Sequence, residues 1–205
     1  MGAVMSTDRR LEKATPETWM SPPGGRWTYD QVKDLELPFD WELMDGAVVV
    51  RGMAEWWHDQ VRDELFFRLK QLKPDPYGVN SERSLLLDAY NSVKPDVVVF
   101  DKSGIDVAPL GATPASIVKL VVEVVSPGSQ VRDRSSKPFL YAEAGIPYFW
   151  RVEHGEDDKP VVHEFWLRRD VGEYVPAPEH PRHTEKLETD RPFPIGIDLA
   201  SLLEL

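Results

Sequence analysis

Cysteine is absent from this 205-residue chain. That excludes disulfides and thiolate-held metal centres, and it leaves oxygen and imidazole as the side-chain groups able to ligate a metal. The absence is compatible with a cytoplasmic protein. Long hydrophobic runs are missing too: the longest, Ile117 to Pro127, is interrupted by Lys119 and Glu123, well short of the roughly 20 apolar residues of a membrane span. No secretory signal opens the chain. Met1-Gly2-Ala3-Val4-Met5-Ser6 fits the N-myristoylation pattern, but no polybasic segment follows, and it is read as coincidence. Positive charge is scarce, with 24 Lys and Arg against 35 Asp and Glu, a net charge of −11 and a pI near 4.9. A protein that grips nucleic acid through a broad basic surface is thereby disfavoured. A cluster of metal-binding carboxylates would contribute to the same imbalance, and bound divalent cations would partly cancel it.

What is present is an ordinary globular composition, 41% hydrophobic and 29% charged, in a length suited to one α/β domain with a substantial core. Residues 1–25 mix Pro, Gly, Ser and charges without periodicity and read as a loosely ordered lead-in to a domain over residues 26–205.

The rest of the chain is organised around Ile117-Val118-Lys119-Leu120-Val121-Val122-Glu123-Val124-Val125-Ser126-Pro127. A β-branched run that is apolar on both alternating faces reads as a central strand buried on both sides. Val121, Glu123 and Val125 share one face. A carboxylate in that place costs several kcal/mol in desolvation unless a cation lies against it, so Glu123 calls for a positive partner.

Upstream, Thr28 and Gln31 have the spacing of a capping box, which predicts a short helix from Tyr29 to about Leu35, before Pro38. Trp41 to Val50 reads as two strands turning at Asp45-Gly46. Ala54 to Leu72 predicts the longest helix, with Ala54, Val61, Leu65, Leu69 and Leu72 as its apolar stripe. His58 falls on that stripe and reads as a core histidine rather than a ligand, and Trp56, Trp57 and Trp150 as core or dimer-surface residues rather than base-stacking platforms. Tyr77 to Asp88 predicts one or two strands, and Pro95 to Phe100 a buried one with Asp96 at its mouth. Residues 101–115 read as loop. Asp133 to Ala144 predicts a helix closed by Gly145, followed by two antiparallel strands at Pro147 to Val152 and Pro160 to Leu167. Beyond Val171 the chain is strand-like and irregular, with a short helix at Asp198 to Leu203. The simplest packing of this order is an α/β (α+β) arrangement, a mixed β-sheet flanked by helices.

Asp96 and Glu123 lie 27 positions apart, enough for a loop that brings their strands side by side. Two converging carboxylates repel unless a cation bridges them, and hard oxygen ligands suit Mg2+ or Mn2+, with the Val125 main-chain carbonyl able to complete the set. The plain alternative makes Asp96 an Asx-turn residue and Glu123 the partner of a nearby Lys or Arg.

Pro95-Asp96 followed by Glu123-Val124-Val125 resembles the PD-(D/E)xK nuclease motif with Val125 in the lysine position. The Uma-two group (domain of unknown function 820) of restriction-endonuclease-like proteins supplies that lysine from the following helix, and the resemblance extends through Glu42 near Asp45-Gly46, His58, Glu123 to Pro127, and the series Asp133, Lys137, Tyr141, Glu143, Ala144, Gly145, Pro147 and Trp150. It covers roughly residues 28 to 203. Two positions depart: Tyr148 stands where an acidic residue is frequent, and Pro138 directly follows Lys137. The resemblance implies a restriction-endonuclease-like fold. It also implies a metal held by Asp96, Glu123 and the Val125 carbonyl, Glu42 as an additional carboxylate, and Lys137 acting on the attacking water. The expected activity is Mg2+- or Mn2+-dependent hydrolysis of DNA by a homodimer with no membrane partner. The rivals are a nuclease-fold binding or assembly module that does not cleave, and a metal-dependent hydrolase of a small phosphoester.

Overall fold

A computed structural model describes residues 12–204; the myristoylation-like Met1 to Ser6 and the first part of the expected lead-in lie outside the described residues. In chain order the helices are α1 (Tyr29–Val32), α2 (Trp56–Leu72) and α3 (Lys137–Glu143). The strands are β1 (Trp41–Met44), β2 (Ala47–Val50), β3 (Tyr77–Ser81), β4 (Leu85–Asp88), β5 (Asn91–Val93), β6 (Val97–Asp101), β7 (Thr113–Pro114), β8 (Val118–Val124), β9 (Tyr148–His154), β10 (Pro160–Arg168), β11 (Glu173–Pro176), β12 (Arg182–His183), β13 (Lys186–Thr189) and β14 (Ile195–Asp198). Contacts divide the chain into two units, Met1–Arg51 with Leu86–Val93, and Gly52–Leu85 with Lys94–Leu205.

In the smaller unit, the Gln31 side-chain oxygen accepts from the Thr28 N–H and hydroxyl, both at 2.9 Å. The helix they start stops at Val32, short of the expected Leu35, because the Leu35 N–H turns back to the Val32 carbonyl at 2.8 Å. β1 and β2 form the expected hairpin with Glu42 opposite Val49. Asp45 and Gly46 both take positive φ, 49° and 74°, the backbone that a two-residue turn between twisted strands requires. A Cβ on Gly46 would also lie 2.6 Å from the Arg26 Cβ. Trp27, Val32, Leu35 and Leu43 form this unit's core.

The larger unit is built on the sheet order β11-β10-β9-β8-β6-β3, with β12 added beside β10. β8 runs parallel to β9 and antiparallel to β6, so the sheet is mixed, as expected. Leu120, Val122 and Val124 of β8 join one core cluster with Trp57, Val61, Leu65 and Leu69 of α2. Val61, Leu65 and Leu69 are fully buried, each contributing about 1.5–3 kcal/mol. The expected stripe shifts at both ends: Ala54 precedes the helix and is exposed, Trp57 takes its place in the core, and Leu72 is 42% exposed at the helix end. α3 makes the crossover from β8 to β9, and its Tyr141 meets Phe149 at a ring distance of 6.2 Å. The 198–203 helix is reduced to a 3-10 turn at Ala200–Leu203. Among the described residues no helix is long and apolar enough to cross a membrane.

Candidate active site

Register brings the two strand carboxylates together. Val97 of β6 pairs with Val122 of β8, so one step further along the ladder Asp96 stands beside Glu123, on the face opposite Val122. Asp96 is buried, 3% exposed. Its Oδ2 accepts from the Val124 N–H at 2.7 Å, and its own carbonyl accepts from the Glu82 N–H at 3.1 Å. The carboxylate thus reaches across to the neighbouring strand instead of closing a local Asx turn.

Glu123 is 1% exposed and carries the cation its burial demands: the Lys137 ammonium donates to Oε2 at 3.0 Å. The Tyr141 hydroxyl donates to Oε1 at 2.5 Å. Lys137 and Tyr141 are four residues apart on α3 and so share a face. The approach to α3 is a π-helical turn, Arg132–Ser136, closed by a bond from the Lys137 N–H to the Arg132 carbonyl. Pro138 lacks an N–H and its ring crowds the carbonyl four residues back, which a wider turn accommodates. Asp133 lies in that turn, 2% exposed, with Oδ1 3.7 Å from the Lys137 Nζ. Arg134 and Lys119 are engaged elsewhere. Arg134 donates to Glu153 at 2.8 Å, and the charge of Lys119 is felt by Asp101, at the opposite end of β6 from Asp96.

A further titratable group joins Asp96 from α2. His58 is 8% exposed, with Nε2 3.3 Å from the Asp96 Oδ2 and Nδ1 3.3 Å from the Asp59 Oδ1, and Asp59 is bonded in turn to Arg62 at 2.8 Å. Burial alone would lower the His58 pKa, but hydrogen bonds and charge from Asp96 and Asp59 outweigh it and hold the pKa above the ordinary value. For Asp96, burial pushes upward, but the His58 bond and charge, the Lys137 charge and the Val124 N–H together hold the carboxyl below its ordinary range.

Of the residues singled out in the sequence, Asp96, Glu123 and Lys137 are thus brought together. Val125 is buried just beyond β8, its N–H on the Val152 carbonyl at 2.8 Å. Glu42 is buried at 2% exposure in the smaller unit, on β1. The two carboxylates that the strands bring together, Asp96 and Glu123, are hard oxygen groups of the kind that suits an ion keeping several of its waters. Among the described residues no three His, Asp or Glu side chains gather so as to hold a metal by themselves. Asp133 and Tyr141, given no role from the sequence, touch the two members of one ion pair, Asp133 the Lys137 ammonium and Tyr141 the Glu123 carboxylate. Their signal was the spacing of Asp133, Lys137 and Tyr141 at successive intervals of four, one helix face.

The family model Uma2, described as "Putative restriction endonuclease", matches residues 28–201. No curated protein matches the chain. A crystal structure described as a putative nuclease belonging to DUF820, from Anabaena variabilis ATCC 29413, aligns with a TM-score of 0.62 over 85% of this chain and 96% of that one, at 17% identity. At that identity the likeness speaks for the fold.

Proposed function

Because the chain belongs to the Uma2 family, we propose that it is an endonuclease, a homodimer that hydrolyses phosphodiester bonds of DNA with Mg2+ or Mn2+. The observation that carries this reading is the meeting of Asp96, Glu123 and Lys137 at adjacent strands, through the 2.7 Å bond from Val124 to Asp96 and the 3.0 Å bond from Lys137 to Glu123. Asp96, Glu123 and the Val125 carbonyl would hold the cation. When bound, a divalent cation lowers the pKa of water and offsets negative charge on the phosphate. Lys137 would present its ammonium to the attacking water and to the charge that builds on the pentacoordinate phosphorus. Water oxygen bonds to phosphorus as one ester P–O bond breaks, and the proton that water loses is returned to the leaving oxygen through solvent. His58 keeps Asp96 ionised and oriented. A DNA substrate accords with a cytoplasmic location.

A second reading, a nuclease-fold binding module, draws support from one observation: the Lys137 ammonium is paired with Glu123 at 3.0 Å, and the His58 ring stands 3.3 Å from Asp96. Supercoiled plasmid incubated with the purified protein in EDTA, Mg2+ or Mn2+ separates the two. Nicked circles and then linear DNA, only with metal, are the expected products, linear DNA marking a dimer that cuts both strands. Intact supercoils under every condition would reject the nuclease.

A further inference from the structure

Strand register carries a line of basic residues away from Glu123. Glu123 of β8 pairs with Arg151 of β9, Arg151 with His163 of β10, and His163 with Arg182 of β12. Register partners on neighbouring strands point to the same face, so these side chains form one row across the sheet. Strands lie about 4.8 Å apart, which puts Arg182 about 14 Å from Glu123. Arg134 joins the row from the turn ahead of α3. Its Nε stands 2.8 Å from the Glu153 Oε1, the Arg151 Nε 2.9 Å from the same oxygen, and the His163 Nε2 3.8 Å from Oε2. The Arg151 N–H does not point at that oxygen, so its contact is one of charge rather than a hydrogen bond. Arg134 and Arg182 are exposed, and Arg151 and His163 half-buried. One carboxylate, Glu153, thus lies among three arginines in a chain whose net charge is −11. His163 feels the surplus: burial lowers its pKa, the Arg151 charge lowers it further, and Arg182 and Arg134 add to this against Glu153. The acidic turn between β9 and β10 leans to the other face, where the Asp158 carbonyl accepts from the Trp57 indole at 2.7 Å and its carboxylate stands 3.2 Å from the His154 Nδ1.

On the nuclease reading above, we infer that the row Arg151, His163 and Arg182, with Arg134 beside it, is a track for the phosphodiester backbone of DNA next to the bond to be cut. A small phosphoester would be held by one or two adjacent cations. A line about 14 Å long that starts at Glu123 instead matches about four phosphates of one strand, spaced about 3.4 Å along the duplex axis. Guanidinium groups present planar forks of N–H donors that fit phosphate oxygens. Glu153 keeps Arg134 and Arg151 together while DNA is absent, and a phosphate can take its place. The track also gives an acidic protein a local attraction for a polyanion, which a broad basic surface would otherwise have to supply. No run of Lys and Arg in the sequence announces it, because its members are scattered between positions 134 and 182 and only the register gathers them.

A purely structural arginine network would affect stability but not the salt dependence of DNA binding, so that dependence is the test. Binding of the full chain to a short labelled duplex is read by fluorescence anisotropy at one fixed concentration of Ca2+, which also takes oxygen ligands. Plasmid nicking in Mg2+ is measured on the same preparations. Each arginine that neutralises a phosphate adds about 0.9 to the slope of log affinity against log salt. Arg182→Gln should therefore shrink the loss of affinity between about 50 and 200 mM salt by about 3.5-fold, and Arg151→Gln combined with it by about twelvefold. Arg134→Gln, at an exposed position, takes the place of Arg151→Gln if that variant does not fold. Arg169→Gln, exposed just beyond the far end of β10, should keep the parent's slope. An unchanged slope in Arg182→Gln and in the double variant, or an equal drop in Arg169→Gln, overturns the track, and the nuclease reading stands if the parent nicks plasmid. A parent that binds no duplex also overturns the track, and if it leaves plasmid intact the nuclease reading falls with it. Reduced slopes with intact plasmid sustain the track and overturn cleavage alone.

Discussion

Replacing Lys137 by Met removes the ammonium but retains most of the apolar stem, so the change isolates a charge. Glu123, 1% exposed, would lose the ammonium that donates to its Oε2 at 3.0 Å and keep the Tyr141 hydroxyl on its Oε1 at 2.5 Å. Breaking a buried ion pair from one side costs about 3–5 kcal/mol, because an uncompensated charge is left behind. The retained tyrosine bond and the methionine packing favour the lower end, about 3 kcal/mol. For a chain of this length each kcal/mol corresponds to about 2–4 °C, so the melting temperature should fall by about 6–12 °C. The assay is thermal and urea unfolding followed by circular dichroism in EDTA, with an unchanged urea slope showing that the same surface is exposed. Adding Glu123→Gln to the Lys137→Met variant should recover part of the loss, since a neutral amide costs less to bury than a lone carboxylate. A Lys137→Met protein that melts within about 2 °C of the parent would refute the buried pair, and with it the placement of Lys137 on Glu123.

Tyr141→Phe deletes the hydroxyl on the Glu123 Oε1 and should cost about 1–3 kcal/mol as an unsatisfied buried acceptor, read from urea midpoints. For Glu153, burial raises the carboxyl pKa, but the Arg134 bond and the charges of Arg151 and Arg134 bring it below its ordinary 4.5. Its stabilising contribution is therefore present above pH 4.5 and lost as pH falls through the lower folded value. With the Arg134 side chain 46% exposed, screening keeps the contribution under about 1 kcal/mol. Glu153→Gln should be slightly less stable than the parent at neutral pH and converge with it in acid, a difference that paired urea titrations at the two pH values will read. Gly46→Ala should destabilise by more than about 1 kcal/mol, because φ is 74° and the new methyl meets the Arg26 Cβ at 2.6 Å; an unchanged melting temperature would contradict the turn geometry.

The parts of this molecule legible in its sequence are those set by local chemistry. Asp45-Gly46 announces its turn because few residue pairs accept positive φ twice. Val118 to Val124 announces a central strand because no solvated strand is β-branched on both faces. Glu123 on that strand announced a cation, and Lys137 supplies it. The details that escaped depend on where the chain meets itself. Trp56 and Trp57 are adjacent, yet one is 59% exposed and the other 8%, because neighbours on a helix are about 100° apart and the choice between them depends on which face meets the sheet. The Asx-turn alternative for Asp96 stayed open because its bond from the Val124 N–H becomes visible only with the β6–β8 register. His58 read as core, and it is buried, but its bond to Asp96 required knowing that α2 begins beside the mouth of β6. Asp133 and Tyr141 stood at the right spacing, but only the fold shows that their shared face looks at Glu123.

We propose Asp96 and Glu123 as one metal-dependent site for cutting DNA. Its most direct test is the initial rate of supercoiled-plasmid nicking at saturating Mg2+ by the parent and by Asp96→Asn, an isosteric change that removes the charge but not the side-chain oxygen facing the Val124 N–H. Metal-dependent nicking by the parent is expected, and a rate at least about a hundredfold lower for the variant, with about 2.7 kcal/mol of transition-state stabilisation lost. Equal rates for the two proteins would contradict it.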